Sequence, residues 1–196
     1  MKKGLLGCVL LLVIGAVVVA LMVGGVYNRL VTLDEGVKSA WSQVENVYQR
    51  RTDLIPNLVE TVKGARDFER DTLTAVVEAR AKVGQVSIAG VPTAEQLQKF
   101  QAAQDGLSSA LSRLLVVVER YPELKSNQNF MKLQDQLEGT ENRVSVERRR
   151  YNETVLNYNR KIRTFPGALL AGIFGFERMP LFEAEAGSKK APQVKF

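Results

Sequence analysis

From Tyr27 onward, apolar residues return every three or four positions, and nowhere do they alternate over a useful length. Leu30, Leu33, Val37, Trp41, Val44 and Tyr48 form one stripe, and Ile55, Leu58, Val62, Ala65, Thr72, Val76, Ala79 and Val83 a second. Leu97, Phe100, Leu107, Leu111, Leu114, Val118 and Tyr121 form a third. The fourth runs from Phe130 through Leu133, Leu137, Thr140, Val144, Tyr151, Val155 and Tyr158 to Ile162. A period near 3.6 places each set on one helical face, so the pattern predicts four amphipathic helices packed along narrow seams. Ahead of them, residues 4–26 carry no charge and no strong polar group. As a helix that run reaches about 35 Å at 1.5 Å per residue, enough to cross a hydrocarbon core of about 30 Å. It is longer than a signal-peptide core of roughly 7–15 residues and lacks a small-x-small cleavage site before a polar start, so it reads as an uncleaved anchor.

The expected breaks follow helix-end chemistry. In "RRTDLIPNL", Arg50 and Arg51 suit a helix C-terminus, where the dipole favours cations. Thr52 or Asp53 then caps a new helix, and Pro56 falls in its first turn, where a missing N–H loses no hydrogen bond. "GQVSIAGVPT", residues 84–93, is a loop, and Thr93 with Gln96 has the spacing of a capping box for the third helix. Pro122 and a cap at Ser126 or Asn127 open the fourth, which ends at Phe165-Pro166-Gly167. The predicted fold class is all-α: a single N-terminal transmembrane helix, an antiparallel up-down four-helix bundle with long helices, and a short amphipathic C-terminal segment. The expected divisions are an anchor at 1–26, the bundle at 27–164, a membrane-proximal or bundle-capping segment at 165–182, and a disordered tail at 183–196.

Composition narrows the chemistry. Among 196 residues there is no histidine, which removes catalytic triads and histidine metal sites. Cys8 stands alone, so no disulfide forms within the chain, and no Gly-rich phosphate loop is present. Glu138 and Glu141 lack a second acidic helix pair to complete a metal site. No catalytic residue, metal or cofactor is expected. The net charge of +6 is interleaved except at Arg148–Arg150 and around Arg160, Lys161 and Arg163, and no nucleic-acid-binding module accompanies it. Basic groups beside an anchor instead suit anionic head groups.

The mixed charges at Glu60, Lys63, Arg66, Asp67, Arg70 and Asp71 lie mainly off the seam and read as a solvated face. Glu69 lies on it, which calls for a partner such as Arg143 or Arg148. Counting helix passes brings the 84–92 loop and the end of the fourth helix to the bilayer. Leu169, Leu170, Ile173, Phe174 and Phe176 then either lie in the interface, with Arg160, Lys161 and Arg163 on head groups, or fold back to cap the bundle. Lys2 and Lys3 favour a cytoplasmic N-terminus and an exported main domain.

Three long stretches resemble the LemA family of bacterial membrane proteins: "YNRLVTLDEGVKSAWSQVENVYQRRTDLIPNLVETVKG", "LLVVVERYPELKSNQNFMKLQDQLEGTENRVSVERRRYNETVLNYN" and "FPGALLAGIFGFERMPLF". The likeness covers about residues 27–183. It implies one N-terminal membrane helix, a helical bundle, and an accessory role in the cell envelope with no established catalytic activity. The residues carrying it are Arg50, Arg51, Asp53, Pro56, Asn57, Tyr121, Pro122, Glu141, Asn142, Arg143, Tyr151 and Asn152. On the predicted bundle Arg50, Arg51, Asp53, Tyr121 and Pro122 gather at the membrane-distal tip, as turn chemistry or as a docking surface. Glu141, Asn142, Arg143, Tyr151 and Asn152, with Glu69, are expected as buried polar groups that set helix register. The leading expectation is a non-enzymatic scaffold at the bacterial inner membrane, with the lipid bilayer and further copies of itself as partners. The alternative is an adaptor that docks a membrane protein, such as a peptidase, through the distal tip.

Overall fold

The structure, a computed structural model, describes residues 2–65 and 68–183, with side chains from Leu10 onward. The tail from residue 184, and Arg66 and Asp67 of the predicted solvated face, lie outside the described residues. The elements are α1 (Lys2–Lys63), α2 (Arg70–Gly84), α3 (Ala94–Val118), the single turn α4 (Pro122–Lys125), α5 (Gln128–Lys161) and α6 (Gly167–Phe174). Among the described residues, all regular structure is helical.

The turn expected at 50–53 does not form. Tyr48, Arg51, Ile55 and Leu58 step by three, four and three residues along one face, and all four are buried. The first predicted stripe and the start of the second, Ile55 to Val62, are therefore one seam running through Arg51 on a 62-residue helix, while Thr72 to Val83 of the second stripe lie on α2. Pro56 lies inside α1 and removes the N–H that would bond the Thr52 carbonyl. Arg80 of α2 supplies the missing donor, its Nε reaching that carbonyl at 3.3 Å. The helix ends instead at Lys63-Gly64, a basic last turn followed by glycine.

The other breaks fall where local chemistry puts them. Thr93 and Gln96 close a reciprocal capping box on α3. Asn127 caps α5 by accepting from the Asn129 and Phe130 amides, while Ser126 follows the end of α4.

Contacts across the bundle fix its direction. Moving up α1, Tyr27 meets Phe174, Trp41 meets Phe100 and Tyr151, and Arg51 meets Ser108 and Glu141. Beyond α1, Phe68 meets Tyr121. Residue numbers on α5 fall as those on α1 rise, so these two helices are antiparallel; α3 runs with α1, and α2 returns between them. One end of the bundle therefore holds Tyr27 and α6, next to the apolar run. The far tip holds Gly64, Ala65, Phe68 and Glu69 with residues 119–127.

The core has two parts. Trp41, Tyr48, Phe100, Tyr151, Tyr158 and Phe182 dominate the cluster nearer the apolar run. Ile55, Leu58, Val76, Leu107, Leu114 and Phe130 dominate the cluster nearer the tip. Between them lies a polar layer of Arg51, Gln104 and Thr140, each at most 4% exposed.

Candidate functional site

The 165–182 segment divides in two, α6 with exposed apolar side chains and a following stretch that folds back on the bundle. The first half is α6, which Gly175 ends in the left-handed conformation at φ 73°. Gly167 begins it, where a Cβ would collide with the Lys161 carbonyl. Leu170 and Ala171 are buried on the bundle, whereas Leu169 and Ile173 are 63% and 73% exposed. Phe165, absent from the predicted set, is 80% exposed. Phe174 and Phe176 stand against Tyr27 with ring centroids at 4.8 and 6.0 Å. Leu21 and Met22, the last large residues of the apolar run, are exposed on α1 just before Tyr27. Phe165, Leu169 and Ile173 thus form an apolar ledge where α1 leaves its charge-free stretch, and Arg160 and Arg163 are exposed immediately before it. Lys161 is only half-exposed.

The second half, residues 176–183, folds back along α5 as a strap. Asn159 donates to the Met179 carbonyl at 2.8 Å and accepts from its amide at 3.0 Å. Asn152 treats Phe182 in the same way, at 3.1 and 2.9 Å. Tyr158 donates to the Glu177 carbonyl and Tyr151 to that of Pro180. The Glu183 carbonyl accepts from both Arg148 and Gln101. Spacing explains the match. Seven residues of helix rise about 10.5 Å, and three residues of nearly extended chain span about 10 Å. A Tyr-Asn pair repeated at seven residues on α5 therefore reads the strap backbone at every third residue. Phe182 closes the strap in a cage of Trp41 and Tyr151, with the Arg148 guanidinium 4.9 Å from its ring centroid.

Burial raises the phenols beneath the strap. Tyr158 is pushed up to about 12 by desolvation first and then by the carboxylates of Asp34 and Glu177. Desolvation alone pushes Tyr151 still higher. The neutral hydroxyls that donate to the strap are thereby kept.

The remaining predicted residues fall elsewhere. Arg51 lies not at the tip but in the polar layer, bonded to Ser108 Oγ at 2.8 Å and paired with Glu141 at 3.1 Å. Arg50 and Asp53 are exposed on α1 well short of its end, because the helix does not turn at 50–53. Tyr121 and Pro122 are at the tip, where α3 gives way to α4. Glu69 is there too, rather than buried against Arg143 or Arg148: it pairs with Arg120 at 2.8 Å and accepts from Thr72. The break after Lys63 moves Glu69 off the seam and into the turn. Asn142 and Arg143 are exposed, since the inward positions of that helical turn go to Thr140 and Val144. Glu138 and Glu141 stand with Arg51, Ser108 and Leu137 around a shallow cleft of about 230 Å³.

The LemA family matches residues 40–196 of this chain. Magnetosome protein MamQ 2 of Paramagnetospirillum magneticum is 28% identical, over 80% of this chain and 64% of its own length. Magnetosome protein MamQ of Magnetospirillum gryphiswaldense is 27% identical, over 86% and 70%. Protein LemA of Metamycoplasma hominis is 19% identical, over 80% and 68%. The chain thus spans just under two thirds of the first of these relatives.

Proposed function

The chain belongs to the LemA family and is membrane-associated, and from that premise we propose that it is a non-enzymatic, membrane-anchored helical scaffold that assembles with copies of itself. The apolar ledge carries this reading. Phe165, Leu169 and Ile173 expose large side chains beside the exit of the anchor, where a bilayer would cover them. Arg160 and Arg163 flank the ledge, where anionic head groups would meet them. On this reading the anchor crosses the inner membrane with Lys2 and Lys3 on the cytoplasmic side and the bundle exported.

Light scattering of the full-length protein in mild detergent, compared with the fragment Tyr27–Phe196, tests the assembly. A large, defined oligomer that depends on the anchor is expected. A monomer in both forms refutes the scaffold and favours an adaptor acting through the tip around Phe68, Arg120 and Tyr121.

A further inference from the structure

Residues 177–183 lie extended in a groove on α3 and α5, with Trp41 of α1 beside Phe182. Every strap hydrogen bond described above comes from a side chain of α3 or α5. The groove reads main-chain groups through Asn152 and Asn159 and adds one aromatic cage for Phe182. This is the logic of backbone-directed peptide recognition, in which main-chain bonds give affinity and a pocket gives specificity. The one segment whose side chains and length are known to satisfy the groove is 177–183 itself. We infer that, between neighbouring copies on the membrane, the strap of one chain seats in the groove of the next.

Three features favour a second copy as the occupant. The strap leaves α6 at Gly175, whose positive φ marks a single residue able to redirect the chain. The groove opens on the side of the bundle, running from Tyr158 up to Arg148, and not at its tip. Copies anchored through the same helix present their grooves and their Gly175 hinges at the same height above the bilayer, so exchange needs only lateral approach. Exchange of an identical segment creates no new contact and is a low-cost route to assembly. It competes with the closed form once neighbours are held at effective concentrations comparable with the intrachain one, which is in the millimolar range for short tethers.

The inference rests on the scaffold reading, and the test separates the two. Gln101 and Glu183 touch across the groove, Gln101 Nε2 lying 3.2 Å from the Glu183 carbonyl. In full-length protein carrying Cys8→Ser, Gln101→Cys and Glu183→Cys are placed on separately tagged chains, co-expressed, and treated in membranes with a short bismaleimide. The double variant on one chain reports the closed form. Exchange gives a two-tag adduct, and Asn152→Ala with Asn159→Ala abolishes it. An intrachain adduct in the double variant with no two-tag adduct between single variants overturns the exchange. A two-tag adduct that survives the asparagine substitutions is collision and overturns it equally. Light scattering on the untreated protein distinguishes the readings: a defined oligomer without the two-tag adduct sinks the exchange alone, and a monomer without it sinks both.

Discussion

Arg51 offers the sharpest test of how the bundle is held together. Its side chain is 5% exposed while that of Glu141 is 47% exposed, so the pair is buried at one end only. Breaking a fully buried pair costs about 3–5 kcal/mol, chiefly because the orphaned charge stays dry. Here Arg51→Ala leaves Glu141 with access to water, and that part of the loss does not apply. Ser108 is not stranded either, since its hydroxyl also bonds the Gln104 carbonyl at 3.1 Å. What remains is the buried stem. Alanine keeps Cβ, so two methylenes at about 0.8 kcal/mol each give roughly 1.6 kcal/mol, and the gap left between the two core clusters raises this to about 2 kcal/mol.

Arg51→Met refills that volume without a charge and should fall within about 1 kcal/mol of the native protein. For a chain of this size a loss of about 2 kcal/mol lowers Tm by roughly 4–8 °C. Thermal unfolding of the full-length protein in detergent, followed by far-ultraviolet circular dichroism, should therefore show a clear drop for Arg51→Ala and near-native behaviour for Arg51→Met. Equal drops in both variants would mean that the charge, not the stem, secures the layer, and the reasoning from packing would fail.

Four further outcomes follow from the same geometry. Asn159→Ala removes two hydrogen bonds to Met179, worth about 2 kcal/mol together, so hydrogen exchange at the Met179 amide should quicken roughly 30-fold with little change in α3. Gly175→Ala forces a side chain into the left-handed region and should destabilise the α6–strap junction by about 1–2 kcal/mol, seen as faster proteolysis after α6. Tyr48 and Tyr158 are held up to about 12, against an ordinary value of 10. The unfolded chain then loses their protons first, so the stability they contribute is complete below about pH 10 and falls as pH rises through about 12; a melting temperature flat below that window and declining within it is the expected profile. Aspartate at Phe165, Leu169 and Ile173 together should weaken binding of the protein to anionic vesicles while leaving the melting temperature near native, because all three side chains are exposed.

Local signals carried much of this structure in plain view. The Thr93–Gln96 box and the Asn127 cap involve residues within three positions of one another; spacing identifies the first, and for the second it leaves Ser126 and Asn127 as alternatives, between which the bonds from the Asn129 and Phe130 amides decide. Arg51 was hidden by its type. An arginine beside another arginine suits a helix end, yet its position continues the steps from Tyr48 to Ile55, and the period was the better guide. Gly64 after Lys63 is the stop signal, masked in the sequence by Val62 and Ala65, whose spacing continues the stripe. That single shift moved Glu69 from the seam to the tip and Arg50 and Asp53 away from it. The Tyr151-Asn152 pair reads from sequence as a register device, and its repeat at Tyr158-Asn159 acquires meaning only with the strap in place. The strap lies about 20–30 residues away in sequence, and its fit depends on matching helical rise to extended-chain length.

The continuity of α1 changes how the bundle stands on a membrane. A turn at 50–53 would have left only a short rod beyond the anchor, whereas an unbroken helix carries the far tip about 55 Å past Tyr27 at 1.5 Å per residue. One helix crossing a bilayer fixes height but leaves rotation about its axis free. On the proposed membrane placement the α6 ledge would remove that freedom, because Leu170, Ala171 and the Tyr27–Phe174 contact pin it to one side of α1 while Leu169 and Ile173 are exposed. Burying the ledge in lipid turns that side of α1 toward the bilayer. The strap leaves the same ledge at Gly175, so its direction is set by the same constraint. On that placement the groove on α5 would be held at a constant height and bearing in every copy, which is the condition the proposed exchange needs for an extended segment to pass from one bundle to its neighbour.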